Sequence, residues 1–453
     1  MSSAAHETSP KWIRYAPEFV QRKLGAQPGL IGNLHNIVWL LADKVLRIVI
    51  AVAIGAWVAR YLGPDQFGKL NYAITIVAVF GVICQLGLDA VVVRDIAFDR
   101  EAAPAILGTT FRLRLCLSAI IWLMCMSSIF VLGAADQTPL LLTAILAGAL
   151  IFQSADTVDL WFQSQTQSRR TVVARIASYV IGGSIKVLLI LSRASIVAFA
   201  VVVLIEGVIA SIGLWLAYRR LPAPEKWRWD TTLAKRLFHE SWPYMLSSLA
   251  VVTYMRIDQI MIREMVSNYE LGVYSSAIAL SSALYFIPVA ISLTLAPSIS
   301  RLKNCDAAGF ENRIRLLYSL MWWVSIPLAV TISLLAYPIV ILLYGDEFVA
   351  GSSILAIHVF SLIPLSLGTA QANWLVNERR GRIALGRTLL GGIASVSLNF
   401  WLIPLYGGKG AAISAVIAFS VAAIFSNLLF APQVFRVQMT SLFVPFKLLK
   451  KIL

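Results

Sequence analysis

Long apolar runs separated by short polar segments dominate the chain of 453 residues. A membrane-spanning helix needs about 20 mostly apolar residues. The runs that reach this length are 36–59, 71–92, 112–133, 139–161, 172–192, 195–218, 242–263, 273–297, 316–337, 352–374, 384–404 and 410–432. The pattern therefore predicts an all-α polytopic membrane protein with about 12 transmembrane helices.

The composition excludes a soluble protein. Hydrophobic residues make up 59% of the chain and charged residues only 13%, whereas soluble domains carry about 25% charged residues. The net charge of +15 could indicate a nucleic-acid partner. We expect none, because the basic residues occur in short clusters between apolar spans and not on one water-exposed face.

The positions of Lys and Arg predict the orientation. Of the 38 basic residues, 29 fall in alternate loops assigned to one side, five fall in loops on the other side and four lie within spans. Basic loops are retained in the cytosol, so both termini are expected to be cytosolic. This assignment counts Arg114, Arg175 and Arg387, near the ends of their spans, with the cytosolic loops.

The longest central loop divides the spans into two groups of six. The predicted segments are a cytosolic N-terminal segment (1–34), an N-lobe (35–220), a cytosolic inter-lobe linker (221–240), a C-lobe (241–433) and a basic amphipathic cytosolic tail (434–453). The tail fits either an interfacial helix attracted by anionic lipid or a simple positive-inside stop.

An internal repeat relates the two lobes. Residues 68–74 (GKLNYAI) align with 272–278 (GVYSSAI), which matches Gly68 with Gly272, and each segment follows the first span of its half. Six spans per half give both copies the same orientation, so the repeats are parallel. Such lobes are typical of alternating-access transporters, with the substrate site between the halves.

Basic residues inside the spans are candidates for binding an anionic headgroup. An ionisable side chain near a helix centre costs about 2.5–3.5 kcal/mol on insertion scales, so it should face a protein interior or a wet cavity. The candidate substrate-binding residues are Arg47, Lys44, Lys186 and Arg256. At about 1.5 Å per residue, Arg47, Lys186 and Arg256 lie at similar depth, about 21 Å from the inner helix ends.

Acidic residues inside the spans are candidates for ion coupling or for salt bridges. They are Asp43, Asp258, Glu206, Asp156 and Asp159. The alternative to a functional role is internal pairing, for example Asp43 with Arg47 four residues later on the same helix face. No metal site, cofactor or catalytic motif is predicted; coupling by H⁺ or Na⁺ is an expectation.

Several stretches resemble the Wzx-type polysaccharide or O-antigen flippases of the multidrug/oligosaccharidyl-lipid/polysaccharide (MOP) exporter superfamily. Residues 59–68 (ARYLGPDQFG), followed by LNYA, resemble the first hairpin of that family. The other similar stretches are GLDAVVVRDIA (87–97), DTVDLWFQSQTQS (156–168), SWPYMLSSLAVVTYMRIDQIMI (241–262) and LLYGDEF (342–348).

The resemblance implies a transporter of the bacterial cytoplasmic (inner) membrane and not an enzyme. Its substrate would be an undecaprenyl-diphosphate-linked oligosaccharide, moved from the cytosolic to the periplasmic leaflet and driven by membrane potential, an ion gradient or both. Its other partners would be membrane lipids, a polysaccharide polymerase and a chain-length regulator. Two alternatives stay open: a MATE-like drug or metabolite exporter of the same superfamily, and a structural partner of a glycan-assembly complex without transport.

Overall fold

The computed structural model describes residues 28–131, 137–165, 167, 169–219, 226–378 and 380–443, with side chains from Val45 onward except at positions 129, 169 and 304. Within these ranges every regular element is helical. A helix satisfies its backbone hydrogen bonds internally, which the absence of water in a bilayer requires. The predictions for Asp43 and Lys44 concern side chains outside the described set, although the backbone of both residues belongs to the first helix.

In the described part of the N-lobe there are seven α-helices. They are α1 (Pro28–Gln85), α2 (Asp89–Phe98), α3 (Ala103–Val131), α4 (Gln137–Gln153), α5 (Thr157–Ser164), α6 (Arg169–Leu191) and α7 (Ile196–Arg219). A single 3-10 turn, Ser154–Asp156, joins α4 to α5, so these two helices form one continuous crossing.

The C-lobe contains the remaining helices of the described chain. They are α8 (Thr231–Met265), α9 (Asn268–Ala283), α10 (Phe286–Cys305), α11 (Ala307–Leu334), α12 (Ala336–Tyr344), α13 (Gly351–His358), α14 (Leu362–Asn377), α15 (Gly381–Tyr406), α16 (Gly408–Ser420), α17 (Ser426–Phe430) and α18 (Pro432–Leu442). Short 3-10 and π segments connect α12 to α13, α13 to α14, and α16 to α17.

The number and type of spans agree with the sequence. Among the described residues, eleven helical stretches are long and apolar enough to cross a membrane, and the first, Val45–Phe98, contains two predicted spans. That stretch bends at Gly63, which has a non-helical φ of 70° and is followed by Pro64. The predicted all-α fold of about 12 spans is therefore confirmed. Helix α8 begins at Thr231, so residues 231–240 of the predicted linker are helical.

The two lobes meet where the repeated glycines lie. A Cβ atom on Gly68 would overlap the carbonyl group of Asn268, and a Cβ atom on Gly272 would overlap that of Pro64. Each glycine thus contacts the residue four positions before the other, as two-fold-related repeats require. Only glycine allows this approach of the backbones of α1 and α9. We call this the outer end, after the predicted orientation.

Apolar and polar contacts extend the outer contact between the lobes. The ring of Phe67 packs edge-on against that of Phe348, with the ring centroids 6.2 Å apart. One turn after Gly68, the Tyr72 hydroxyl donates a hydrogen bond to Glu264 over 2.7 Å. The outer end is closed by these contacts.

At the opposite, inner end, ion pairs join α2 to the start of α8. Arg94 donates to Glu240 over 2.7 Å, and Arg236 donates to Asp95 over 2.8 Å. Gly87, with φ of 63°, lies against the backbone of Met245. The two arginines are exposed, whereas the Asp95 side chain is only 12% exposed. The inner end is therefore joined by ion pairs, by a close backbone approach and by buried apolar side chains of both lobes.

Replacing Gly272 with alanine is expected to separate the lobes at the outer end, because the new methyl group overlaps a backbone carbonyl that has no rotamer to move to. Overpacking of this kind costs about 1–3 kcal/mol. The thermal unfolding temperature of G272A in detergent should therefore fall by several degrees.

Gly55→Ala is the matched control for this measurement. Nothing lies within 4 Å of a Cβ atom on Gly55, and alanine favours a helix over glycine by about 1 kcal/mol. G55A should be at least as stable as the parent protein. If G272A unfolded at the same temperature as the parent, the close approach of the two glycines would be refuted.

Candidate functional site

A cavity of about 450 Å³ lies between the lobes, on the inner side of the outer contact. Helix α1 forms one wall with Ile48 and Asn71, and α8 and α9 form the other. The Thr75 hydroxyl of α1 donates to the Gln259 side chain of α8 over 2.5 Å, and both residues are buried. This hydrogen bond joins the lobes at the edge of the cavity, which Gln259 lines.

Arg256 and Asp258 of α8 both line this inter-lobe cavity. The Asp258 carboxylate accepts hydrogen bonds from the Tyr274 hydroxyl and from its neighbour's backbone N–H, and it forms no ion pair with Arg256. No other ion pair to Arg256 occurs among the described side chains. The cavity thus contains the hydrogen-bonded carboxylate of Asp258 and the guanidinium of Arg256, which has no ion-pair partner among the described side chains.

A second cavity of about 480 Å³ lies within the N-lobe and has a mixed charge. It is lined by basic, acidic, amide and hydroxyl side chains from α1 to α7. Four of the predicted site residues line it, namely Arg47, Asp156, Asp159 and Glu206. Three ionisable residues outside the predicted set line it as well, namely Asp89, Arg114 and Arg175.

Most charges in the N-lobe cavity are paired. Arg175 donates to Asp156 over 3.1 Å and to Asp159 over 2.9 Å. Arg114 forms an ion pair with Asp89, whose side chain is 60% exposed while that of Arg114 is 5% exposed. The cavity therefore reaches solvent near Asp89. The Nε of Arg114 is buried without a hydrogen-bond partner in the described structure.

Lys186 lies beside the N-lobe cavity and is also paired. Its ammonium group donates to Glu206 over 2.7 Å, and both side chains are partly buried. Gly182, one turn before Lys186, makes room for this carboxylate, because a Cβ atom there would overlap it. Lys186 lines neither cavity. In this conformation its charge is neutralised by Glu206 and does not face a substrate.

Arg47 is exposed and lies on the N-lobe side of α1. Its guanidinium is 3.4 Å from the Tyr179 hydroxyl and 5.9 Å from the centre of that ring. The next residue, Ile48, lines the inter-lobe cavity instead. Helix α1 therefore separates the two cavities, and the single central site expected from residue depth is divided into two.

Three embedded arginines were assigned to loops in the sequence analysis, and that assignment is wrong. Arg114, Arg175 and Arg387 lie inside α3, α6 and α15. They were counted with the loops because the positive-inside rule uses proximity to a span end and gives no information on side-chain direction. One signal was available: an R-x-x-x-x-R spacing occurs at 170–175 and again at 382–387.

The Lys186–Glu206 pair can be tested by a double-mutant cycle. Lys186→Met or Glu206→Gln alone leaves one charge without its partner, whereas the double variant removes both charges. We expect a coupling free energy of about 0.5–3 kcal/mol in thermal or denaturant unfolding. Additive effects would refute the pair. A K186M variant of full stability that lost transport would instead favour the predicted substrate contact.

Two lobes of six spans around an inter-lobe cavity are the architecture of a membrane transporter. The chain belongs to the polysaccharide biosynthesis protein family, whose model matches residues 57–352. It is 21% identical over 396 residues to the capsular polysaccharide biosynthesis protein CapF of Staphylococcus aureus, covering 86% of this chain and 97% of that protein.

Solved structures show the same fold at low sequence identity. The inward-facing form of a multidrug resistance MATE family transporter of the MOP superfamily has a TM-score of 0.71 and 16% identity, covering 89% of this chain and 99% of that one. The lipid II flippase MurJ, in an inward closed form, has a TM-score of 0.72 and 12% identity, covering 90% and 91%. The resemblance stated from the sequence is confirmed.

An outward-facing MATE structure is less similar in shape. Its TM-score is 0.62 at 17% identity, covering 89% of this chain and 96% of that one. The higher score with the inward-facing form agrees with the closed outer end around Gly68 and Gly272.

Proposed function

We propose that this protein is a flippase that moves an undecaprenyl-diphosphate-linked oligosaccharide from the cytosolic to the outer leaflet of the cytoplasmic membrane, with both termini in the cytosol. The observation that carries the proposal is Arg256, an embedded arginine in the inter-lobe cavity that has no ion pair among the described residues. The family supports a glycan substrate.

An anionic headgroup suits this arginine. A guanidinium binds phosphate oxygens through two parallel hydrogen bonds, which are stronger than hydrogen bonds between neutral groups. The cost of placing Arg256 inside the membrane is then offset when a diphosphate is bound. An organic cation, the substrate type of the exporter alternative, would be repelled by the same charge.

The remaining parts of the substrate fit the rest of the molecule. Sugar hydroxyls need both donors and acceptors, and the N-lobe cavity supplies arginines, carboxylates and amides such as Gln153 and Gln163. The polyprenyl chain would stay in the bilayer. In a rocking cycle, the glycine contact at the outer end would open, and the unit would reach the outer leaflet, where a polymerase and a chain-length regulator act.

The membrane potential would favour this direction of transport. An inside-negative potential contributes about 2.3 kcal/mol per negative charge per 100 mV to outward movement. No nucleotide site is then needed. Return of H⁺ or Na⁺ would reset the lobes, with Asp258 and the carboxylates Asp156 and Asp159 as candidate coupling residues.

Replacing Arg256 with glutamine should reduce flipping by about tenfold or more, since a hydrogen bond to a charged group contributes about 1.5–3 kcal/mol and about 1.4 kcal/mol corresponds to tenfold. The measurement uses purified protein in liposomes that contain a fluorescent undecaprenyl-diphosphate oligosaccharide. The fraction of glycan accessible to an added glycosidase is followed over time. Arg256→Lys keeps the charge and should retain more activity than R256Q.

The liposome assay also discriminates between the candidate functions. A structural partner without transport would leave the glycan inaccessible in wild-type liposomes, which would overturn the proposal. A drug or metabolite exporter would also leave the glycan inaccessible, but it would release an organic cation loaded into the liposomes. Equal flipping rates for R256Q and the wild type would show that Arg256 does not hold the headgroup.

A further inference from the structure

The two lobes hold an arginine at the same position of their fifth spans. Arg175 is the sixth residue after the start of α6, and Arg387 is the sixth residue after the start of α15. In the N-lobe, Arg175 bonds to residues 19 and 16 positions earlier in the chain, Asp156 and Asp159. The internal repeat therefore predicts partners for Arg387 at the corresponding positions.

The partners of Arg387 occupy those positions but carry no charge. Arg387 donates to the carbonyl of Gly368, 19 residues earlier, over 3.3 Å, and to the Gln371 side chain, 16 residues earlier, over 2.6 Å. Gly368 and Gln371 stand where the N-lobe has two carboxylates. No ion pair to Arg387 occurs in the part of the chain that the structure describes, so its charge is retained.

A chain of buried amides holds Arg387 in place. The Gln371 side chain accepts from Arg387 and donates to Asn427. Asn427 donates to the Gln438 side chain over 2.8 Å, and Gln438 donates to the carbonyl of Ala423 over 2.9 Å. These three amide side chains are fully buried. Their acceptor ends all point toward Arg387, which stabilises a cation without neutralising it.

An unpartnered donor lies at the wall of the inter-lobe cavity, one helical turn along α15 from Arg387. The Tyr254 hydroxyl is buried and has no hydrogen-bond partner within the described ranges. Tyr254 lines the inter-lobe cavity together with Arg256, and its ring lies beside Gly391, one turn after Arg387. Arg387 itself is only partly buried. Tyr254 thus contacts the helix that carries Arg387 and also lines the cavity that holds Arg256.

The depth of Arg387 suits a lipid headgroup. Six residues of helix place it about 9 Å from the start of α15, on the side that the predicted orientation assigns to the cytosol. The phosphate groups of membrane lipids lie close to this level. A headgroup that enters from the cytosolic leaflet would therefore meet Arg387 before Arg256.

We propose that Arg387, with the Tyr254 hydroxyl, forms an anion site that first binds the diphosphate of a polyprenyl carrier before it passes to Arg256. This inference rests on the proposed function. The N-lobe equivalent, Arg175, cannot serve in this way because Asp156 and Asp159 neutralise it. The pseudo-symmetric lobes thus differ in charge at one position, and the C-lobe recruits the headgroup.

The decisive variant rebuilds the N-lobe pair in the C-lobe. In Gln371→Asp the new carboxylate can neutralise Arg387, as Asp159 neutralises Arg175. The Asn side chain introduced by Gln371→Asn has the same size as Asp but no charge, so Q371N is the reference variant. We expect Q371D to bind undecaprenyl diphosphate at least tenfold more weakly than Q371N, measured on purified protein in phosphatidylcholine nanodiscs by native mass spectrometry or by titration. Thermal unfolding checks that both variants are folded.

A second pair keeps the test valid if Q371D does not fold. The R387Q variant should bind undecaprenyl diphosphate as weakly as Q371D does, and R387K should retain part of the wild-type affinity. If Q371D and R387Q both bound as tightly as Q371N and the wild type, the Arg387 site would be refuted while the proposed function stood. If the wild type bound no undecaprenyl diphosphate, both the Arg387 site and the proposed function would be overturned.

Competitors distinguish the sources of the anion. Undecaprenol lacks the diphosphate and should not compete. Inorganic pyrophosphate should compete weakly, because it lacks the polyprenyl chain that concentrates the carrier in the membrane. If phosphatidylglycerol or free pyrophosphate bound with the same Arg387 dependence and the same affinity as undecaprenyl diphosphate, the assignment to the carrier headgroup would be wrong.

Discussion

The pairing of charges inside the bilayer governs the arrangement of both lobes. Because a membrane offers no water to an embedded ion, each one must meet an opposite charge, a set of hydrogen bonds or a wet cavity. In the N-lobe, Arg175, Lys186 and Arg114 meet carboxylates, which link α6 to both α5 and α7, and α3 to α2. In the C-lobe, Arg256 and Arg387 meet no carboxylate in the described structure. The two lobes share a fold and differ in how they satisfy this one constraint.

The close approach of Gly68 and Gly272 must break before the outer end of the molecule can open. Backbones in contact leave no space for side chains to fill the gap, so the outer contact is either fully formed or broken. Hydrogen bonds from Tyr72 and Thr75 add to the contact between the lobes on this side. At the inner end, Gly87 also lies against a backbone, that of Met245, and ion pairs join the same region. Both ends are joined in this structure, so opening to either side requires backbone contacts to separate.

The number of spans and the internal repeat depend on local composition, and both could be predicted from the sequence. Span number follows from apolar length, and the match of Gly68 with Gly272 predicted a repeat whose glycines the structure places in contact. Pairings could not be predicted, because they depend on the facing direction of separate helices. Lys186 and Arg256 are both basic and were predicted at the same depth, yet only Lys186 is neutralised by a carboxylate, that of Glu206. Counting Arg387 as a loop residue concealed its role for the same reason.

A transporter must also release what it binds, and the partners of Arg387 bear on this requirement. An arginine surrounded by apolar side chains would hold a diphosphate too tightly to pass it on, while one paired with a carboxylate would not bind it. Gln371 and the carbonyl of Gly368 accept three hydrogen bonds from Arg387 and leave its charge intact. Such an intermediate arrangement gives moderate affinity, which is what a first site in a transfer sequence needs. Replacing two carboxylates by neutral acceptors in one lobe therefore provides a directional path within a pseudo-symmetric fold.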